Sequence, residues 1–149
     1  MANRKQIIET ARTYVGTPFQ HQARVKARGL DCVGLILCVA DDLKINDTSG
    51  KPFNKFDYVD YGPQPSGGFV NEQCATRLVK VNRPPQPGDV VNLRVPVEPC
   101  HVAIISEHGG ALYMIHAYNG GTHKCVEHVF DKAWQRRLVG VFEFPGIEE

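Results

Sequence analysis

The chain lacks any apolar run near the ~18 residues that a membrane-spanning helix needs. It also lacks an excess of charge of either sign. The formal net charge is +1, so bulk electrostatics give no case for nucleic acid or an anionic membrane as partner. Arg24, Lys26 and Arg28 come nearest to a basic cluster, and a short basic loop reads first as a solvated loop. Met1 to Arg12 carries charge early and no long apolar segment after it, which excludes an ordinary secretory signal. The cysteines number 5, an odd count that forbids complete internal pairing, and their scatter suggests no disulfide framework. Synthesis in a reducing cytoplasm follows as the expectation. There is no C-x-x-C, no internal repeat and no low-complexity segment.

What is present suits one ordinary globular domain over residues 1–149, with 42% hydrophobic and 22% charged residues. Residues 3–15 predict an amphipathic helix with Ile7, Ile8, Ala11 and Val15 on one side, ended by Gly16-Thr17-Pro18. Residues 17–30 read as a polar loop. Residues 31–43 form the strongest helix signal, with Leu35, Ile36, Val39 and Leu43 at helical spacing after Asp31, a natural N-cap. Residues 46–68, rich in Pro, Gly, Asn and Tyr, read as irregular, a place for a lid. A helix is expected near 69–79, then a stiff Pro-rich turn leading into a strand from Val90 to Val95. His101–Ser106 and Leu112–Tyr118 read as a hairpin, with further strands near 124–129 and 138–144. Helices first and strands second argue an α+β fold with an antiparallel sheet.

Cys32 opens the strong helix, in Gly29-Leu30-Asp31-Cys32-Val33-Gly34-Leu35. A first-turn cysteine feels the positive end of the helix dipole and unpaired backbone N–H groups, both of which favour the nucleophilic thiolate. The dipole supplies about 0.3–1 kcal/mol, so a basic partner must do most of the activation. His101 and His116 are candidates on the hairpin. If His108-Gly109 forms a two-residue turn, the two histidines stand directly opposite each other. If Gly109-Gly110 is the turn, they are diagonal on one face. A three-residue loop without a bulge turns them to opposite faces. In the catalytic reading Cys32 attacks a carbonyl carbon, His101 is the general base and His116 orients it. The backbone N–H of Cys32 is the natural oxyanion donor. Cys38, Cys74, Cys100 and Cys125 read as core residues.

Metal binding is the rival chemistry, since Cys100, His101, His116, His123, Cys125 and His128 lie close together in sequence. No finger-like pair of ligand pairs appears, and no metal or other cofactor is expected. His21, Gln22 and Arg24 of the polar loop, with Asp31 beside the nucleophile, are candidate substrate contacts. Capping is an equal reading for Asp31. Tyr118 either lines the cleft or closes the hairpin, and Trp134 reads as an anchor between the last strands.

Asp31-Cys32-Val33-Gly34-Leu35, Pro87-Gly88-Asp89-Val90, His101-Val102-Ala103-Ile104 and Met114-Ile115-His116-Ala117 stand in the order found in NlpC/P60 cysteine peptidases, which the chain resembles from about residue 5 to 145. Gly16-Thr17-Pro18-Phe19-Gln20-His21-Gln22, Ile115-His116-Ala117-Tyr118 and Arg137-Leu138-Val139-Gly140-Val141-Phe142 look like the phage-encoded branch of tail-tip cell-wall peptidases. The resemblance implies a papain-like α+β fold, with the cysteine at a helix N-terminus packed on an antiparallel sheet. It implies hydrolysis of an amide bond in the peptide stem of peptidoglycan, often next to D-glutamate, with no cofactor. It implies Cys32 as nucleophile, His101 as base and His116 as third residue. It also implies other tail-tip proteins as partners, with synthesis in the host cytoplasm and residence in the virion tail. Val33 stands where many cell-wall members have serine, which removes one possible contact to the stem peptide. The alternatives are a structural tail-assembly protein with a vestigial site, or another thiol amidase or acyltransferase on the same fold.

Overall fold

In the computed structural model, residues 1–20, 23–53, 73–95, 99–118 and 123–148 are described. Helix α1 (Arg4–Arg12) begins at a capping box, in which Asn3 and Gln6 each accept from the other's backbone N–H. Ile7 and Ala11 are its buried stripe. The predicted helix ran on to Val15, but the chain leaves helical geometry after Arg12, so the stripe is cut. Tyr14 turns inward instead and donates its hydroxyl to Asp42, while Val15 is left exposed. Helix α2 (Cys32–Asp42) is apolar on most sides and buries Leu35, Ile36, Leu37, Val39 and Ala40.

The polar loop between them is not all irregular: it holds a small two-stranded ladder, β1 (Arg24–Val25) with β2 (Gly29–Leu30). Strands of two residues are too short to show period-2 alternation. Part of the expected 69–79 helix is seen as a short α3 at 73–77. Strand β3 (Val79–Val81) follows and takes only the last residue of the expected helix, Val79. The other strands are β4 (Val90–Arg94), β5 (Pro99–His108), β6 (Ala111–Tyr118), β7 (Lys124–Val129) and β8 (Leu138–Glu143). A one-turn helix, α4 (Lys132–Gln135), capped by Asp131, stands between the last two. The six-stranded antiparallel sheet has the order β3-β8-β4-β5-β6-β7. The last strand thus inserts beside β4, and four consecutive strands follow as a meander.

The sheet separates two apolar layers. On one face Val90, Val102, Ile104, Ile115, Ala117, Cys125 and Phe142 pack with α1 and α2. On the other face Val91, Leu93, Ala103, Ile105, Met114 and Val141 pack with Phe130, and Trp134 and Leu138 close over them. At the end of the sheet near Cys32, residues 16–19 bond to the start of β7, and Leu30 bonds to Pro18 and Gln20. This edge ladder leads the chain straight into α2.

A buried charge cluster ties the first helix to the sheet. Asp89, fully buried in Pro87-Gly88-Asp89, accepts from Arg4 at 2.8 Å, from Arg83 at 2.6 Å and from the backbone of Gln86 at 2.8 Å. Both arginines also reach Glu143 on β8. A buried carboxylate is tolerable only when its lone pairs are filled in this way. The hydrogen bonds of Arg83 to Asp89 and Glu143 hold its guanidinium pKa above the usual value.

Candidate active site

The local sequence builds the start of α2 tightly. Asp31 adopts extended backbone geometry and its Oδ1 accepts from Gly34 N–H at 2.7 Å, as an N-cap does. The same oxygen accepts from Arg24 Nη1 at 2.8 Å. Gly34 is required by space: a Cβ there would lie 2.5 Å from the Ala23 carbonyl oxygen. Cys32 is the first residue of the helix and is 6% exposed. Its backbone stands at the positive end of the helix dipole.

The hairpin settles the register question. Ile104 pairs with Ile115, Glu107 with Leu112 and His108 with Ala111, so Gly109-Gly110 is the two-residue turn. Both glycines have positive φ, 58° and 83°, the conformation that a two-residue turn of this hand needs at both positions. His101 and His116 are then diagonal neighbours on one face, the second of the expected arrangements. Their rings meet: His101 Nε2 and His116 Nδ1 are 2.7 Å apart. His116 Nε2 continues to His128 Nε2 at 2.8 Å, and His128 Nδ1–H donates to the Val129 carbonyl at 2.9 Å.

Aromatic rings enclose this row. Tyr118 stacks on His116 with centroids 5.4 Å apart, and lies 5.3 Å from His101. Trp134 of α4 stands edge-on to His116 at 5.1 Å. Burial pushes the His101 pKa down to about 3, with Arg137 adding to the effect. Burial pushes His116 down to about 2, with His101 and His128 as further causes. Both rings are therefore neutral imidazoles at ordinary pH. Nδ1 of His101 has no hydrogen bond among the described residues.

The structure brings His101 and His116 together but puts Cys32 in a different layer. Val102, Ile104, Ile115 and Ala117 face α2, and Cys32 packs in that layer. His101 and His116 alternate with those residues and project to the other face, under Trp134. His101 is near the beginning of β5, opposite Leu93 on β4.

Of the expected substrate contacts, His21 and Gln22 lie outside the described residues. Arg24 and Asp31 are bonded to each other and to the helix start. Of the cysteines expected in the core, Cys74 and Cys125 are buried, and burial pushes both thiols up to about 12. Cys38 is only half-buried, donates to the Arg24 carbonyl, and is pushed up to about 11, chiefly by desolvation. The described residues contain no cluster of His, Cys, Asp or Glu arranged to hold a metal ion. Sequence reasoning put Trp134 between the last strands, where it stands, but missed its contact with His116 and the place of His128. The signal for His128 was its period-2 spacing from Val126, which pairs with His116 across β6 and β7.

The sequence profile of the NlpC/P60 family matches residues 16–143. No curated protein matches the chain significantly. Among solved structures, the NlpC/p60 domain of peptidoglycan hydrolase SagA is similar over 95% of this chain and 99% of that one, with TM-score 0.59 and 20% identity. An NlpC/P60 family protein from Bacillus cereus aligns over 95% of this chain with TM-score 0.65 and 18% identity, and a lipoprotein-like NLP/P60 family protein from Staphylococcus aureus over 98% with TM-score 0.60 and 18% identity. The chain spans 40% and 42% of the length of those two proteins. At these identities the likeness shows the fold, a helix-and-antiparallel-sheet arrangement, which agrees with the expected α+β class. With the profile spanning most of its length, the chain belongs to the NlpC/P60 family.

Proposed function

We propose that the protein is a cysteine peptidase that hydrolyses an amide bond in the peptide stem of bacterial peptidoglycan. The observation that carries this is the buried His101–His116 pair, bonded at 2.7 Å near the start of the strand beside the helix-start layer. In this reading the Cys32 thiol gives its proton to Nδ1 of His101 as sulfur attacks the carbonyl carbon. The tetrahedral oxyanion is met by the backbone N–H of Cys32. His101 returns the proton to the leaving amine as the C–N bond breaks, leaving a thioester that water hydrolyses. His116 holds the ring of His101 by its second nitrogen throughout. The Gly-Thr-Pro-Phe segment and the strand motifs support a place in a phage tail tip, made in the host cytoplasm and carried in the virion. Other tail-tip proteins would be its partners there.

The test is digestion of purified peptidoglycan followed by mass spectrometry of released fragments. The wild type should release stem-peptide fragments, and Cys32→Ala should release none. Equal release by both would refute the reading.

A second reading is favoured by one observation, the separation of Cys32 and His101 into different packing layers. It makes the protein a structural tail component that keeps the fold without turnover. Cys32→Ala phage would then infect as well as wild type, and would be impaired if the peptidase works during entry.

A further inference from the structure

His128 belongs to no part of the peptidase reading, yet it ends the row of imidazoles and settles where their protons are. A carbonyl oxygen can only accept, so the 2.9 Å contact to Val129 fixes a proton on Nδ1 of His128. In the neutral ring, Nε2 of His128 then holds a lone pair. The 2.8 Å contact therefore needs Nε2–H on His116. Nδ1 of neutral His116 is in turn the acceptor at 2.7 Å, and the proton of His101 must be on Nε2. Nδ1 of His101 is left with the lone pair, and it has no other partner among the described residues. The opposite order, with every proton reversed, would set two donors against each other at His128 or leave the Val129 carbonyl facing a lone pair.

We propose that His128 is a positioning residue: its bond to the Val129 carbonyl sets, through His116, the tautomer that leaves Nδ1 of His101 free to accept the Cys32 proton. The consequence for catalysis rests on the reading of Cys32 and His101 as a working pair. The tautomer order does not, because it follows from three contacts on one face of β5, β6 and β7. His128 is half-buried on β7, at the edge of the sheet, with its ring against His116 and Trp134.

The experiment is nitrogen-15 NMR of the imidazoles in the full chain at neutral pH, for wild type, His128→Leu and His128→Gln. In the wild type, His101 should show a lone-pair signal at Nδ1 and a protonated signal at Nε2. His128 should show the reverse. Leucine removes the acceptor, so His116 and His101 should become mixtures of two tautomers. The Cys32 alkylation rate should fall by about twofold, the loss an even mixture gives. Glutamine offers an amide oxygen that accepts from His116, so it should restore the wild-type pattern and rate. A proton on Nδ1 of His101 in the wild type, or an unchanged pattern in His128→Leu, would overturn the proposal. Alkylation of Cys32 that ignores His101→Ala would count against the Cys32–His101 pairing instead, with the order of the three rings intact.

Discussion

Acid should destabilise this protein well above the range where carboxylates titrate. His101 and His116 have folded pKa values pushed down to about 3 and about 2, while an unfolded histidine titrates near 6.5. As pH falls below about 6.5, the unfolded chain therefore binds two protons that the native state refuses. Stability is full above that value and is lost progressively toward the folded values. Each ring contributes about 1.4 kcal/mol per pH unit in that window, so the pair costs about 4 kcal/mol between pH 8 and pH 5. That is a large part of the roughly 5–15 kcal/mol that holds a domain of this size. Asp47 and Glu127, whose hydrogen bonds outweigh desolvation and keep their pKa values low, add loss of the same sign in more acid solution. The interval from pH 8 to 5 therefore isolates the histidines. The assay is urea unfolding at each pH, followed by the fluorescence of Trp134, the single tryptophan. His116→Gln should reduce the slope by about half, since one of two titrating rings is gone. A stability that stays flat within about 1 kcal/mol from pH 8 to 5 would show that the native state does not exclude these two protons.

Two further predictions concern the scaffold. Asp89→Ala leaves Arg4 and Arg83 without their buried partner and should cost about 3–5 kcal/mol in the same urea assay; a loss below about 1 kcal/mol would show that Glu143 alone suffices. Gly34→Ala drives a methyl group against the Ala23 carbonyl and the Arg24–Asp31 contact, so it should lower stability by about 1–3 kcal/mol and change Cys32 alkylation. An unchanged melting temperature and rate would show that the helix start is looser than these contacts imply.

The parts of the fold that sequence displayed are those made by local rules. Asp31 caps α2 as its side chain and position suggested, and the hairpin took one of the two registers that put His101 and His116 on one face. What was hidden depends on partners far away in sequence. The pairing of β3 with β8 is a long-range contact between short strands, and nothing in Val79–Val81 shows it. Likewise, Asp89 reads as a turn residue until Arg4 and Glu143 arrive from the two ends of the chain. Hairpin arithmetic gives which residues share a face but not which face the helix covers. The separation of Cys32 from the imidazole layer was therefore beyond its reach. His128 was visible only as a rival zinc ligand, because its place beside His116 depends on the register of β7.

Activation of Cys32 by His101 is read out by iodoacetamide alkylation across pH, mapped by mass spectrometry. Near neutral pH, Cys32 should be labelled faster in the wild type than in His101→Ala. Cys74 and Cys125, held up to about 12 by burial, should stay unlabelled in both and serve as internal controls. A Cys32 that reacts no faster in the wild type than in His101→Ala would contradict the peptidase reading and leave the structural tail component in its place.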